Sequence, residues 1–168
     1  MWFIIILIII VVVCVVVKNA SNATNNDTYT HNNSYETKER FEVITESEKQ
    51  QLSYRGGNNL LTFTLNQYQQ AVTGDTGAMV ALGAVYQSKL DNAYKAAFWY
   101  EKAHQSGDWE GTYWYGECCI SGYGVEKNGT LGYGYLLMAA QHGNENAIDA
   151  FRQRGMSVEE MRSHGIPV

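Results

Sequence analysis

The feature that most restricts the fold is a short motif that recurs three times after residue 70. Each copy opens with a glycine followed by Asp or Asn, and the copies begin at Gly74, Gly107 and Gly143, which places them 33 and then 36 residues apart. A period of this length is typical of helical repeat proteins, in which each unit buries its apolar face against its neighbours. The chain is therefore predicted to fold as a stack of similar units.

Apolar side chains follow each of these glycines with the periodicity of a helix. They recur at i, i+3, i+4, i+7 and i+8, which is one face of an α-helix. The two complete sets and the start of the third are Ala78, Ala81, Leu82, Val85 and Tyr86; Gly111, Trp114, Tyr115, Cys118 and Cys119; and Ala147, Ala150 and Phe151. A second helix precedes each new start, with apolar faces formed by Ala96, Trp99, Tyr100 and Ala103 and by Gly132, Tyr135, Leu136, Ala139 and Ala140. Each unit is thus predicted to be a helical hairpin.

Local signals set the ends of these helices. Gly107 and Gly143 lie where the end of a helix requires a left-handed residue, and Asp108 and Asn144 can then cap the helix that follows. The glycines predicted to let the two helices of a hairpin approach closely are Gly83 and Gly116.

Shorter helices are predicted on both sides of the repeats. The residues that suggest an incomplete second helix before Gly74 are Leu61, Leu65, Tyr68 and Val72. At the other end, Ser157 and Glu160 form a capping box that opens a short helix, which Gly165 closes. Such terminal elements are needed because an exposed repeat face is unstable in water.

Together these residues resemble the Sel-one-like repeat, an α/α solenoid unit related to the tetratricopeptide repeat. The run from Lys95 to Ala103 (KAAFWYEKA) matches the second helix of that family, Ala81-Leu82-Gly83 matches the first helix, and Gly122-Tyr123-Gly124-Val125 matches the turn. The departures are Leu131-Gly132 in place of Lys-Ala, Tyr135-Leu136 in place of Trp-Tyr, and Arg152 in place of Gly. The resemblance covers about residues 74–155 and implies an all-α fold, a short right-handed α/α solenoid. Its units are about 74–106 and 107–142, with a partial unit at 143–155 and caps at both ends.

The chain begins with an apolar leader. Trp2 to Val17 are sixteen consecutive apolar residues without a charge, which as a helix would span about 24 Å, slightly less than a bilayer core of roughly 30 Å. A cleaved secretory signal normally carries a basic start and small residues at the cut, and this leader has neither, although Asn19-Ala20-Ser21 could act as a cut site. We therefore expect residues 1–18 to be a single-pass transmembrane anchor whose partner is the lipid bilayer through residues 2–17, with a cleaved signal as the alternative. Lys18 favours a repeat domain on the cytoplasmic side of the membrane. One basic residue beside the span is not enough to decide the side.

The stretch from residue 19 to residue 59 is predicted to be a linker. Its first half is rich in Asn, Ser and Thr and cannot bury enough apolar surface to offset chain entropy. Residues 36–51 are charged and could form a frayed helix, and the run from Arg55 to Asn59 is expected to break the chain before the domain at residues 60–168.

Charge and composition exclude several functions. Twelve basic against 17 acidic residues give a net charge of −5, and no cluster of Lys and Arg is present, so nucleic acid is not expected as a partner. Gly122 and Gly124 follow a predicted helix, whereas a nucleotide-binding glycine loop follows a strand. The four histidines and three cysteines lack metal-ligand spacing. No cofactor, metal or catalytic residue is therefore predicted, and the chain is not expected to be an enzyme.

The resemblance implies a scaffold that binds a protein or peptide on the side formed by the first helices. The first-helix residues outside the core stripe, and hence the predicted partner-binding residues, are Met79, Val80, Trp109, Thr112, Tyr113 and Ile148. The alternative is a cell-envelope hydrolase of the β-lactamase-like, cysteine-rich repeat type. Relatives of that kind carry paired cysteines in each repeat, whereas this chain has only the adjacent Cys118 and Cys119.

Overall fold

The computed structural model describes residues 43–168, which form seven α-helices and, within that range, no β-strand. The helices are α1 (Glu46–Val72), α2 (Thr76–Ser88), α3 (Ala93–Gln105), α4 (Trp109–Ser121), α5 (Gly129–Gln141), α6 (Glu145–Gln153) and α7 (Val158–Ser163). The predicted all-α class is confirmed for this range. The leader and residues 19–42 of the predicted linker lie outside the described residues, and none of the described helices is long and apolar enough to cross a membrane.

Successive helices pack against each other as antiparallel neighbours. α2 packs on α3, α3 on α4, and α4 on α5, so the helices form one continuous row. A Cβ on Gly116 would meet Leu136, whereas one on Gly132 would meet Ile120, which is the crossed pairing expected of antiparallel helices. The predicted hairpins are thus α2–α3 and α4–α5, and α6 with the short α7 occupies the third position.

The predicted helix starts agree with the structure. The side chains of Asp75, Asp108 and Asn144 cap α2, α4 and α6, and each accepts a hydrogen bond of 2.7–2.9 Å from the backbone N–H three residues later. Gly107 and Gly143 have φ values of 83° and 82°, in the left-handed region that favours glycine. The capping box predicted at Ser157 is also present and opens α7. These features depend on a few neighbouring residues, which is why the sequence predicts them.

Large aromatic side chains fill the core between α1, α2 and α3. Tyr86, Trp99 and Tyr100 are fully buried there. The ring of Tyr100 packs so closely on Gly83 that a Cβ at this position would overlap it, which confirms the close approach predicted for that glycine. A second core, around Leu136 and the alanines of α5 and α6, holds smaller side chains.

The packed region begins well before the predicted boundary at residue 60. Helix α1 starts at Glu46, and Ile44 and Leu52 are buried. The predicted break is present only as a kink at Gly57, where φ is 66° and ψ is −171°, and the chain continues as a helix on both sides. Residues 46–59, which the sequence assigned to the linker, are therefore helical, and those before the kink pack against the first hairpin, which their own periodicity does not reveal.

A buried ion pair fixes the start of α1 to α3. Lys95 Nζ donates to Glu48 Oε2 at 2.8 Å and to the carbonyl oxygen of Val43 at 2.7 Å, and both charged side chains are almost fully removed from solvent. In the second half of α1 the buried residues are Thr64 and Ala71, whereas Val72 is 50% exposed. The predicted apolar face of this helix was therefore wrong at Val72.

Candidate functional site

The first helices of the repeats lie on one side of the described domain. α2 contacts α4, and α4 contacts α6, whereas the second helices α3 and α5 lie farther apart. We call the side that carries α2, α4 and α6 the first-helix side. The first helices of neighbouring hairpins thus approach each other more closely than the second helices do.

A cleft of about 410 Å³ opens on the first-helix side, between the end of α2 and the middle of α4. Ligand pockets in proteins typically measure about 300–1,000 Å³. We call it the α4 cleft, and its lining residues are Gln87, Tyr113, Trp114, Glu117, Cys118, Ser121, Gly122 and Tyr123.

An indole ring held by three neighbours forms one wall of the α4 cleft. The Trp114 ring stacks on the ring of Tyr100, with centroids 5.7 Å apart and planes at 18°. Its Nε1 donates to Glu110 Oε1 at 2.7 Å, and the edge of Tyr113 meets it at a centroid distance of 5.0 Å. The orientation of Trp114 is therefore fixed by the fold before any ligand arrives.

The opposite wall comes from α2. Gln87 Oε1 accepts a hydrogen bond from the Tyr100 hydroxyl at 2.8 Å, so the amide is anchored to the buried ring behind it. Burial raises the pKa of Tyr100 far above its ordinary value, which keeps the hydroxyl protonated and able to donate. The α4 cleft is thus lined by side chains that already have fixed partners.

Glu117 lies between the α4 cleft and a neighbouring depression. The residues that line this depression are Tyr133, Phe151, Arg154, Gly155, Met156, Glu160 and His164. Its Oε1 accepts a 2.7 Å hydrogen bond from Arg154 Nη2, and the two side chains are 29% and 33% exposed. The guanidinium of Arg154 also lies 5.7 Å from the centroid of Tyr133 and lines the neighbouring depression, not the α4 cleft. Glu117 is therefore the charged side chain that faces the cleft.

Burial and nearby charges both act on the tyrosines of the cleft. Burial is the largest cause that raises the pKa of Tyr113; the charge of Glu117 raises it further, Arg154 lowers it, and Glu110 raises it by a smaller amount. Burial likewise raises the pKa of Tyr123, followed by the charge of Asp91. Both tyrosines are therefore neutral donors at physiological pH, chiefly because they are buried.

The floor of the cleft is a thiol. Cys118 is 4% exposed, and burial, followed by the charges of Cys119 and Glu117, raises its pKa to about 12. Burial is also the first cause that raises the pKa of Cys119. Both thiols are protonated at neutral pH, and a protonated thiol is a poor nucleophile.

A cluster of rings that the sequence did not predict lies on the other side of α4. His104 packs on Tyr115 and Tyr135 with centroid distances of 5.9 and 4.5 Å, and its Nδ1 lies 3.0 Å from the Thr112 hydroxyl. Burial lowers the pKa of His104, although Glu101 opposes this shift. The cluster joins α3, α4 and α5, so we assign it to packing between the hairpins.

Only one of the six predicted partner-binding residues lines the α4 cleft, namely Tyr113. Val80 is half-buried against the first core, and the half-buried ring of Trp109 stacks on His142 at a centroid distance of 3.7 Å. Met79, Thr112 and Ile148 are buried, which does not agree with the prediction that they face a partner.

Helix packing explains the burial of these three residues. α2 and α4 contact the helices before and after them as well as a neighbouring first helix, and α6 contacts both α5 and α4. More of each circumference is therefore covered than one apolar stripe suggests. The hydroxyl of Thr112 shows the consequence, since it donates to the Asp108 carbonyl at 2.7 Å and lies against His104 of the preceding helix. These residues are therefore removed from the candidate surface.

Sequence reasoning missed most of the cleft. Gln87, Glu117 and Tyr123 are polar or lie in a turn, so the apolar periodicity that located the helices gave no reason to select them. Glu117 follows Tyr113 by four residues and thus lies on the same face of α4, a signal that could have identified it.

Among residues 43–168, no three His, Cys, Asp or Glu side chains are grouped closely enough to hold a metal ion. Comparison of the chain with known protein families, with curated proteins and with solved structures finds no significant match.

Proposed function

We propose that the chain is a membrane-tethered scaffold without catalytic activity. In this proposal, the described helices are a short right-handed α/α solenoid of the Sel-one-like type that binds a segment of a protein or peptide partner in the α4 cleft. The observation that carries the proposal is the cleft on the first-helix side, whose walls are Tyr113, Trp114 and Tyr123. The membrane tether, by contrast, is proposed only from the sequence, namely from the apolar run at residues 2–17.

The chemistry of the cleft supports binding. Tyrosine and tryptophan contribute large contact areas with few rotatable bonds, and they are the residues that most often dominate binding energy at interfaces. Because Trp114 is already held by Tyr100 and Glu110, a ligand that packs on it need not supply the free energy to order the ring.

The low reactivity expected of the Cys118 thiol, which lines the cleft, supports a non-catalytic role. An acyl-transfer mechanism through Cys118 would require a thiolate, and burial favours the protonated thiol instead. The nearest carboxylate, Glu117, is already paired with Arg154.

Site-specific photo-crosslinking in intact membranes tests the binding site. A photoreactive residue placed at Ser121, which is exposed and lines the α4 cleft, should capture a partner in cells that express the full chain. The matched control is the same residue at Tyr94, which is 68% exposed on α3 and is not among the residues that line the cleft. Tyr113→Ala should abolish capture from position 121 while the helical circular dichroism spectrum is unchanged. Equal capture from both positions, or capture that survives Tyr113→Ala, would overturn the cleft assignment.

Membrane extraction tests the tether separately. The full chain should remain in the membrane pellet after alkaline washing and keep its N-terminus, whereas a chain that lacks residues 2–17 should be recovered in the supernatant. Recovery of a soluble protein that begins near Asn19 would instead show that the leader is a cleaved signal.

A further inference from the structure

The α4 cleft combines aromatic faces with one carboxylate, that of Glu117, whose second oxygen has no hydrogen-bond partner among the described residues. Three carboxylates, those of Asp91, Glu110 and Glu117, act on the tyrosines that line it. The opposing charge is Arg154, which lies on the far side of Glu117 and lines the neighbouring depression.

The turn after α4 carries one charge of each sign. Glu126 and Lys127 are both exposed there, and a Cβ on the cleft-lining Gly122 would meet the Cβ of Lys127.

The hydrogen bonds of Glu110 and Glu117 differ in the charge of their donors. Glu110 accepts from Trp114 Nε1 at 2.7 Å and from the Asn144 and Asn146 amides at 2.8–3.1 Å, and all of these donors are neutral. Glu117 is bonded by Arg154 only through Oε1, and no residue in the described range bonds its Oε2. Because each carboxylate oxygen has two lone pairs, Glu117 can accept a second cationic donor from the cleft side.

These observations distinguish between classes of ligand. An anionic side chain would be repelled by Glu117, and a purely apolar one would remove Glu117 from water without giving it a new partner, which is costly. A cationic side chain with an apolar stem avoids both penalties. Its cationic head can pair with Glu117 and is attracted to the negative faces of Tyr113 and Trp114. Its apolar stem can pack on the same rings.

We infer that the α4 cleft receives the side chain of a lysine or arginine of the partner segment, with Glu117 as its counter-ion and the rings of Tyr113, Trp114 and Tyr123 around its stem. This inference rests on the proposed function, since it names the chemistry of the segment that the cleft binds. Charge pairing of this kind also accelerates encounter and makes binding sensitive to salt.

Fluorescence anisotropy with defined peptide probes tests the inference. The full chain in detergent micelles is titrated into three fluorescein-labelled pools of random nonapeptides, whose central residue is fixed as arginine, glutamine or glutamate. The arginine pool should bind at least about tenfold more tightly than the glutamine pool, the glutamate pool should bind least, and added salt should weaken the arginine pool most.

Two charge-removing variants and a control locate the effect. Glu117→Gln, which keeps the shape of the side chain, should reduce the arginine preference to about threefold or less. Asp91→Asn provides an independent test, because it leaves Arg154 untouched and asparagine tolerates the φ of 51° at this position; it should weaken the arginine pool by a smaller factor. Glu159→Gln, an exposed change on α7, should leave all three affinities unchanged.

The outcomes separate this inference from the proposed function. If the glutamine or glutamate pool binds as tightly as the arginine pool, and Tyr113→Ala abolishes that binding, the cleft binds peptides but the charge preference is wrong. An undiminished arginine preference in Glu117→Gln would also overturn the inference. If no pool binds and the photoreactive residue at Ser121 captures nothing, the inference and the proposed function fail together.

Discussion

The two complete hairpins place their aromatic rings differently. When the hairpins are aligned by their repeats, Tyr86, Trp99 and Tyr100 of α2–α3 correspond to Cys119, Tyr135 and Leu136 of α4–α5. The three residues of the first hairpin are fully buried. In the second hairpin the smaller residues Cys119 and Leu136 replace two of these rings. Four aromatic rings of this hairpin are instead half-buried at its surface, namely Tyr113, Trp114, Tyr115 and Tyr135.

This difference suggests that the two hairpins have different roles, one in stability and the other in binding. A buried aromatic ring contributes several kcal/mol to stability and cannot contact a ligand, whereas a half-buried ring contributes less and can. The first hairpin therefore serves as the stable base of the domain, and the second presents the surface that we propose binds a partner. The variants described next test this contrast, from the largest expected effect to the smallest.

The contrast is tested most directly by removing corresponding rings. Trp99→Ala should lower the free energy of unfolding by about 3–5 kcal/mol, because it leaves a large cavity among Tyr68, Phe98 and the surrounding core. Tyr135→Ala, its counterpart in the second hairpin, should cost roughly 1–2 kcal/mol. Urea unfolding followed by circular dichroism measures both. Equal losses would contradict the proposed division between the hairpins.

The attachment of α1 to the first hairpin can be broken at one carboxylate. Glu48→Ala should destabilise the domain by about 3 kcal/mol, because it leaves the Lys95 ammonium buried without its counter-ion. Glu46→Ala, which removes an exposed partner of Lys49, is the matched control and should change stability by less than about 0.5 kcal/mol. Replacing Glu48 and Lys95 together by Met should restore most of the loss, as followed by thermal unfolding. A double variant as unstable as the single one would show that the loss does not arise from the unpaired lysine.

Two glycines of the second hairpin should respond to alanine with opposite signs. Gly116→Ala should destabilise by about 1–3 kcal/mol, since its Cβ would overlap Leu136 and press on the Gly132 carbonyl oxygen of the paired helix. Gly134→Ala should stabilise by about 0.5–1 kcal/mol, because its Cβ meets open space and alanine favours the helix. Differential scanning calorimetry of the two variants should therefore give shifts of opposite direction. Shifts of the same sign would show that α4 and α5 are not in close contact at Gly116.

The smallest effect concerns reactivity and leaves stability unchanged. Because burial raises the pKa of Cys118 to about 12, its thiolate fraction at pH 8 is far below that of an ordinary cysteine. Iodoacetamide should therefore modify the peptide that contains Cys118 and Cys119 slowly in the folded protein and rapidly in urea, as mass spectrometry can show. Labelling in the folded state should rise with pH. Rapid labelling at pH 8 without urea would show that these thiols are accessible and activated, which would favour the hydrolase alternative.

Prediction from the sequence succeeded where a few neighbouring residues decide the outcome. The capping side chains of Asp108 and Asn144 and the left-handed glycines before them act within one turn of backbone, so their residue types are sufficient. It failed at α1, where Val72 continues the apolar spacing but is half exposed. For the site, it selected Tyr113 but missed Glu117 on the same face, because it searched for exposed apolar residues.

The sequence by itself thus determined the helices, their caps and the order of the hairpins, since hydrogen bonds and periodic faces within about ten residues set these features. Only the tertiary structure decided which surface remains open. Glu117 and Arg154, which form a hydrogen bond, are 37 residues apart in the sequence, and Thr76 and Asp108, which form another, are 32 residues apart. Contacts over such sequence separations form only when hairpins stack. The same stacking buries Met79, Thr112 and Ile148 and leaves Gln87 and Tyr123 in the lining of one cleft. Exposure depends on what covers a residue from elsewhere in the chain, and local periodicity does not contain that information.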